Sequence, residues 1–174
     1  MNVKKGKKNI ESVADYLIAA TVIKQNSVSP LKLQKLLYYF QAWHMVYFDG
    51  DSVFENAPQA WVNGPVYPTI YRKYSEKLNM YDNFTLLPEY CPNACDKIID
   101  SAKKNDLFNK DEQEFCSQFI EAFAPKDATY LSLLTHGEAP WKNARNGLDP
   151  FVRSDREISL QDMLDYYEKI KEQG

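Results

Sequence analysis

Glycine is scarce in this chain, with 6 among 174 residues. They fall singly, so neither the glycine-rich turn of a dinucleotide fold nor a phosphate-cradling loop can be built from them. The chain also lacks the HExxH zinc-protease pattern, the G-x-S-x-G nucleophile turn and any run of acids at metal-ligand spacing. Three cysteines, Cys91, Cys95 and Cys116, make no disulfide framework. Cys91 and Cys95 cannot supply four zinc ligands, and no nearby histidine completes the set. No metal and no cofactor is expected. No apolar run approaches the roughly 18 residues of a membrane span. No charged start, apolar stretch and small-residue cleavage site mark a secretory signal, so the expected location is the cytoplasm.

Positive charge is also in short supply. The formal net charge is -3, and a duplex-binding domain concentrates positive charge on one face. Direct nucleic-acid binding is therefore not expected. The one basic cluster is KKGKK, Lys4 to Lys8. Standing before the first periodic segment, it reads as a flexible, solvated tail over residues 1–9, with a phosphate-contacting arm as the alternative.

What the chain does have is aromatic residues: 12 Tyr, 9 Phe and 3 Trp. Tyrosine offers rigid apolar area with a polar end and suits contact surfaces. Apolar periodicity at three and four residues predicts a helix from Ile10, capped by Asn9. Ser29 and Pro30 then open a second helix, as an N-cap followed by a proline whose missing amide costs nothing there. Its stripe of Leu33, Leu36, Leu37, Phe40, Trp43, His44 and Tyr47 predicts one inward side, with Lys32 and Lys35 off its centre. QAWVNG, residues 59–64, predicts a short extended segment ending in an Asn63-Gly64 turn. A proline-started helix follows, with Ile70, Tyr71, Tyr74 and Leu78 on one face. Residues 79–97 read as loop, with room for an isolated extended pair. Further helices are predicted from Asn109 (a capping box with Glu112), from Asp127 and from Ser159. The expectation is a mainly α, compact, bundle-like single domain over residues 10–174, with roughly six helices and a minor β element.

Few residues suggest chemistry. His44, on an apolar stripe, fits a core position with its ring on a backbone carbonyl, and the sequence names no acid to partner it. His136 sits beside Gly137 at a helix end, where a cation suits the carbonyls. Cys116 fits a small core residue. Trp61 and Trp141 lie beside irregular backbone and are the candidates to line a groove, with Arg72 and Arg145 placed near it.

Three phrases, SPLKLQKLLYYFQAWH, AWVNGPVYPTIYRKY and LTHGEAPWKNAR, resemble the Panacea family, the SocA-like antitoxin domain of phage-associated proteins. The likeness runs from about Ile10 to the final helix. The first motif falls on Leu31, Lys32, Leu33, Gln34, Lys35, Leu36, Tyr38, Tyr39, Gln41 and Trp43. The second falls on Ala60, Trp61, Gly64, Pro65, Val66 and Tyr71, the third on His136, Pro140 and Trp141. Phe40 stands where the family often has a small residue.

The resemblance implies a helical domain that silences a toxin, encoded by the neighbouring gene, through protein–protein binding. It also implies an alternative, since one family member delivers its toxin to a cytosolic protease as an adaptor. Partner-binding candidates are Gln34, Lys35, Gln41, Trp61, Arg72, His136 and Trp141. The polar residues among them either face a partner or pin a turn. A binding module with a different target is the second reading. An enzyme using His44 or His136 is the third, and a DNA-binding autoregulator a fourth.

Overall fold

The computed structural model describes residues 1–174. The chain is 59% helical, with eight helices and one small two-stranded sheet. In order these are α1 (Ile10–Ile23), α2 (Pro30–Tyr47), β1 (Gln59–Trp61), β2 (Gly64–Val66), α3 (Pro68–Tyr74), α4 (Pro92–Lys104), α5 (Lys110–Phe123), α6 (Ala128–Gly137), α7 (Ala139–Ala144) and α8 (Leu160–Gln173).

The predicted helix starts carry the bonds their residue types require. The side chains of Asn9, Ser29, Asp127 and Ser159 each accept from a first-turn amide. At α5, Asn109 and Glu112 form a complete reciprocal box. Each such cap satisfies a helix-end donor that would otherwise lack a partner. The segment expected to be loop departs from expectation. It holds two short 3-10 turns, Phe84–Leu86 and Pro88–Tyr90, and no extended pair. α4 also starts at Pro92, inside the segment expected to be loop, because proline serves as its first helical residue.

α2 is the axis of the fold, and α1, α3, α5, α6, α8 and β2 all pack on it. Every residue from Leu31 to Ala42 is buried. This differs from the one-sided stripe of the sequence reading, because Lys32, Gln34, Lys35 and Gln41 are buried along with the leucines. Tyr47, expected inward, is 57% exposed because the bundle ends short of it. Phe40 fills its position with ring contacts to Phe108, Phe115 and Phe119.

In KKGKK the side chains of Lys4, Lys5 and Lys7 are exposed, as expected, but the backbone of residues 1–9 does not run free. They lie as an extended strap against residues 50–54. The Lys4 amide donates to the Gly50 carbonyl at 2.8 Å and the Lys8 amide to the Val53 carbonyl at 3.0 Å. Between them Gly6 is buried, and a side chain there would meet the Ser52 carbonyl oxygen at 2.3 Å. The glycine that interrupts the lysines is what lets the strap lie flat.

The end of the strap completes a buried ionic cluster. Lys8 Nζ lies 3.0 Å and His44 Nε2 3.1 Å from Glu112 Oε1. The other histidine nitrogen faces the Asp51 carbonyl at 2.7 Å. Burial pushes the Glu112 carboxyl up, but His44, the Asn109 amide and Lys8 outweigh it and hold it at about 2. The unfolded value is about 4.3, so the folded state binds the proton less readily. The stabilisation is complete above about pH 4.3 and is lost as pH falls through about 2. Glu112→Gln is expected to lose this contribution, so that its stability deficit against wild type shrinks between pH 5 and pH 2. Urea melts of the pair across that range check it.

Candidate functional site

A hairpin of three-residue strands is too short to be stable alone. β1 and β2 pair antiparallel, Trp61 opposite Gly64 and Ala60 opposite Pro65. The outward-facing backbone groups need partners from elsewhere, and most of those partners are side chains. Arg145 Nη1 donates to the Ala60 carbonyl at 2.8 Å, and Trp141 Nε1 to the Trp61 carbonyl at 2.9 Å. His136 Nε2 meets the Val62 carbonyl at 2.7 Å, and Lys35 Nζ donates to the Pro65 carbonyl at 3.0 Å. Gln34 closes the far end: the Tyr67 amide donates to its Oε1 at 2.7 Å, and its Nε2 donates to the Tyr67 carbonyl at 3.3 Å. The Ala60 amide is taken by the Arg156 carbonyl.

Gly64 makes this close approach possible. Its φ of +96° lies in the region that glycine alone enters readily. An added side chain would lie 2.9 Å from Lys35 Nζ and 2.7 Å from Thr135 Oγ1. Lys35 is wholly buried and has no acid beside it, and burial lowers its ammonium to about 7.

A second buried layer ties α2 to α7 and α8. The Glu138 carboxylate accepts from the hydroxyls of Tyr39 at 2.9 Å, Tyr167 at 2.6 Å and Tyr38 at 3.4 Å. Burial raises its pKa and the three hydroxyls oppose that rise.

These contacts correct several expectations. Gln34, Lys35 and Gln41 do not face outward to a partner. All three are buried and bond backbone, Gln41 through the Phe54 carbonyl and the Val53 amide. Of the two roles the sequence left open, the structure places them in the pinning of turns. His136 and Trp141 brace the hairpin, with their rings 4.4 Å apart. Arg145 is buried and not at the rim of a groove. The acid that the sequence could not name for His44 is Glu112. Both are buried, and neither lines the cleft beside Trp61.

Trp61 and Arg72 keep exposed surface. Trp61 walls a cleft of about 450 Å³ between the start of α2 and α3, together with Leu31, Ile70, Tyr71 and Met80. Its ring meets Tyr71 edge-on at 4.9 Å. Tyr71, expected to face inward, is 47% exposed and forms the outer wall. Arg72 is exposed on α3 but does not line the cleft. The arginine beside Trp61 is Arg153, whose guanidinium lies 5.5 Å from the ring centre. Only its tertiary contact marks it, and no sequence signal singled it out.

Lys35 provides a test of the arrangement. Its folded pKa of about 7 lies below the unfolded value of about 10.4, so burial costs stability at neutral pH and the cost fades as pH rises. The unfolding free energy of wild type minus that of Lys35→Met is expected to rise from pH 7 to pH 9. The limiting slope is about 1.4 kcal/mol per pH unit. Taking the difference cancels Cys95 and Cys116, whose raised pKa values act in the opposite sense. Gly64→Ala is expected to cost about 1–3 kcal/mol through strain, read from the same melts.

No curated protein and no solved structure matches the chain. A family model does, described as antitoxin SocA-like, Panacea domain, over residues 33–142. That span holds the hairpin with Gln34, Lys35, His136, Glu138 and Trp141, and it exceeds half of the chain. The chain therefore belongs to the SocA-like antitoxin family defined by the Panacea domain.

Proposed function

We propose that this chain is the antitoxin of a toxin–antitoxin pair and neutralises its cognate toxin by direct binding in the cytoplasm, without catalysis. Its family supports an antitoxin role. The observation that carries the binding reading is the division of labour within the motifs. Their buried polar members are occupied with backbone groups, while Trp61 stays half-exposed over a cleft of about 450 Å³. An aromatic residue on a rigid support beside an apolar depression is the arrangement that concentrates binding energy.

More apolar surface lies open nearby. α6, whose His136 reaches the hairpin tip, exposes Tyr130, Leu133 and Leu134 at 47%, 68% and 38%. Side chains at these spacings share one helix face. A stable complex buries at least about 1,200 Å² in total, and the cleft and this face together offer the centre of such an interface. Arg72 and Arg153 would sit at its rim, where charge governs encounter more than affinity.

The expectation is that Trp61→Ala and Arg72→Glu weaken toxin binding more than they lower thermal stability. The toxin is sought by co-expressing the chain with each adjacent small reading frame, reading growth rescue and co-purification. Parallel melting and affinity curves then check the variants. A loss of fold that matches the loss of binding contradicts the assignment. Rescue in which the toxin disappears only when a protease is present would replace steric neutralisation by protease delivery.

A further inference from the structure

The most exposed large apolar side chain is Phe151, at 89%, with Val152 beside it at 44%. Neither falls within the span matched by the family model. The loop that carries them is built around one buried side chain. Arg145 Nη2 donates to the carbonyls of Asp149 at 3.0 Å, Pro150 at 3.2 Å and Val152 at 2.7 Å. Its other donor holds Ala60 of the hairpin. The turn is closed by the Val152 amide on the Asp149 carbonyl at 3.1 Å. Just beyond, Arg153 lies over Trp61. The carbonyls on both sides of Phe151 are thus fixed to the body of the protein, and its ring is turned away from it.

An aromatic ring on a fixed backbone has little entropy left to lose on binding. A ring of this kind buries about 150–250 Å² when it enters a pocket. We propose that Phe151 is the anchor by which this chain selects its toxin: the ring enters an apolar pocket on the toxin surface, with Val152 beside it and Arg153 and Trp61 packed at the rim. The proposal rests on the antitoxin reading and adds the residue that confers selectivity. Two observations favour a protein pocket as the occupant. The loop is joined through Arg153 to the Trp61 cleft, so the two surfaces are continuous. Its exposed charges, Asp149, Arg153, Asp155, Arg156 and Glu157, sum to -1, which gives an anionic membrane no hold. The shared motifs build the hairpin and its braces, whereas this loop lies outside the matched span.

The test uses the full chain and the product of the adjacent reading frame that is toxic when expressed alone. Affinity, growth rescue and melting temperature are measured for wild type, Phe151→Ala, Phe151→Asp and Phe151→Trp. Phe151→Ala is expected to bind on the order of 30-fold more weakly, with an unchanged melting temperature because the ring touches little in the free chain. Phe151→Asp should fail to rescue growth, and Phe151→Trp should retain rescue. Undiminished binding by Phe151→Ala, with Trp61→Ala impaired, overturns the anchor and leaves the antitoxin reading standing. Loss of a wild-type homodimer in Phe151→Ala, with toxin binding unchanged, also overturns it by assigning the ring to self-association. If wild type neither binds nor rescues against any adjacent product, the antitoxin reading falls and the anchor falls with it.

Discussion

The structure depends on the capture of hairpin carbonyls by buried and half-buried side-chain donors. Two strands of three residues have few cross-strand bonds, and their outer edges would lose water on packing against α2 and α6 without gaining a partner. A buried backbone polar group left in that state costs as much as a lost hydrogen bond. Arg145, Trp141, His136 and Lys35 each remove one such cost, and Gln34 removes two. The donors come from α2, α6 and α7, so the hairpin can keep its place only when those helices are correctly assembled. That is why residues far apart in the sequence, from Gln34 to Trp141, belong to one set of motifs.

The same device explains the buried cations. Lys32 bonds the carbonyls of Ser27 and Ala124, Lys35 that of Pro65, and Arg145 those of its loop and of Ala60. None of the three has a carboxylate partner among the ion pairs. A buried charge is expensive unless it is hydrogen-bonded, and carbonyl oxygens at otherwise unpaired backbone positions supply the bonds. Each cation is costly by itself, and its gain is that it specifies one geometry for the segment it holds.

Local signals made much of the secondary structure legible. Asn9, Ser29, Asn109, Asp127 and Ser159 announce helix starts because a cap is chosen by atoms only two or three residues away. Asn63-Gly64 announces the turn for the same reason. The environment of α2 was not legible. Lys32, Gln34, Lys35 and Gln41 look like a solvated face, and the backbone groups that satisfy them lie between 5 and 92 residues away. His44 and Glu112 were each visible, Glu112 as half of a capping box, yet nothing in the chain order says that they meet. The docking of the strap was not legible because its lysines Lys4, Lys5 and Lys7 do stay exposed, and only the packing of Gly6 and its neighbouring backbone bonds shows that the chain lies against the body. Trp61 was identifiable as a groove residue by its type and its neighbouring turn. Arg153 and Phe151 were not, since a lone arginine or phenylalanine in a loop carries no periodicity.

A rigid hairpin braced from within, with its recognition surface on the outside, is the central claim. It separates residues that build the domain from residues that meet a partner, and it puts the family's polar motif residues in the first group. The most direct measurement is amide hydrogen exchange of the chain, free and bound to the toxin proposed as its partner. Slowed exchange on binding is expected at residues 61–63 and 149–153 and along α6, with α2 already protected in the free chain. Slowed exchange confined to α4 and α5, or an α2 that becomes protected only in the complex, would contradict it.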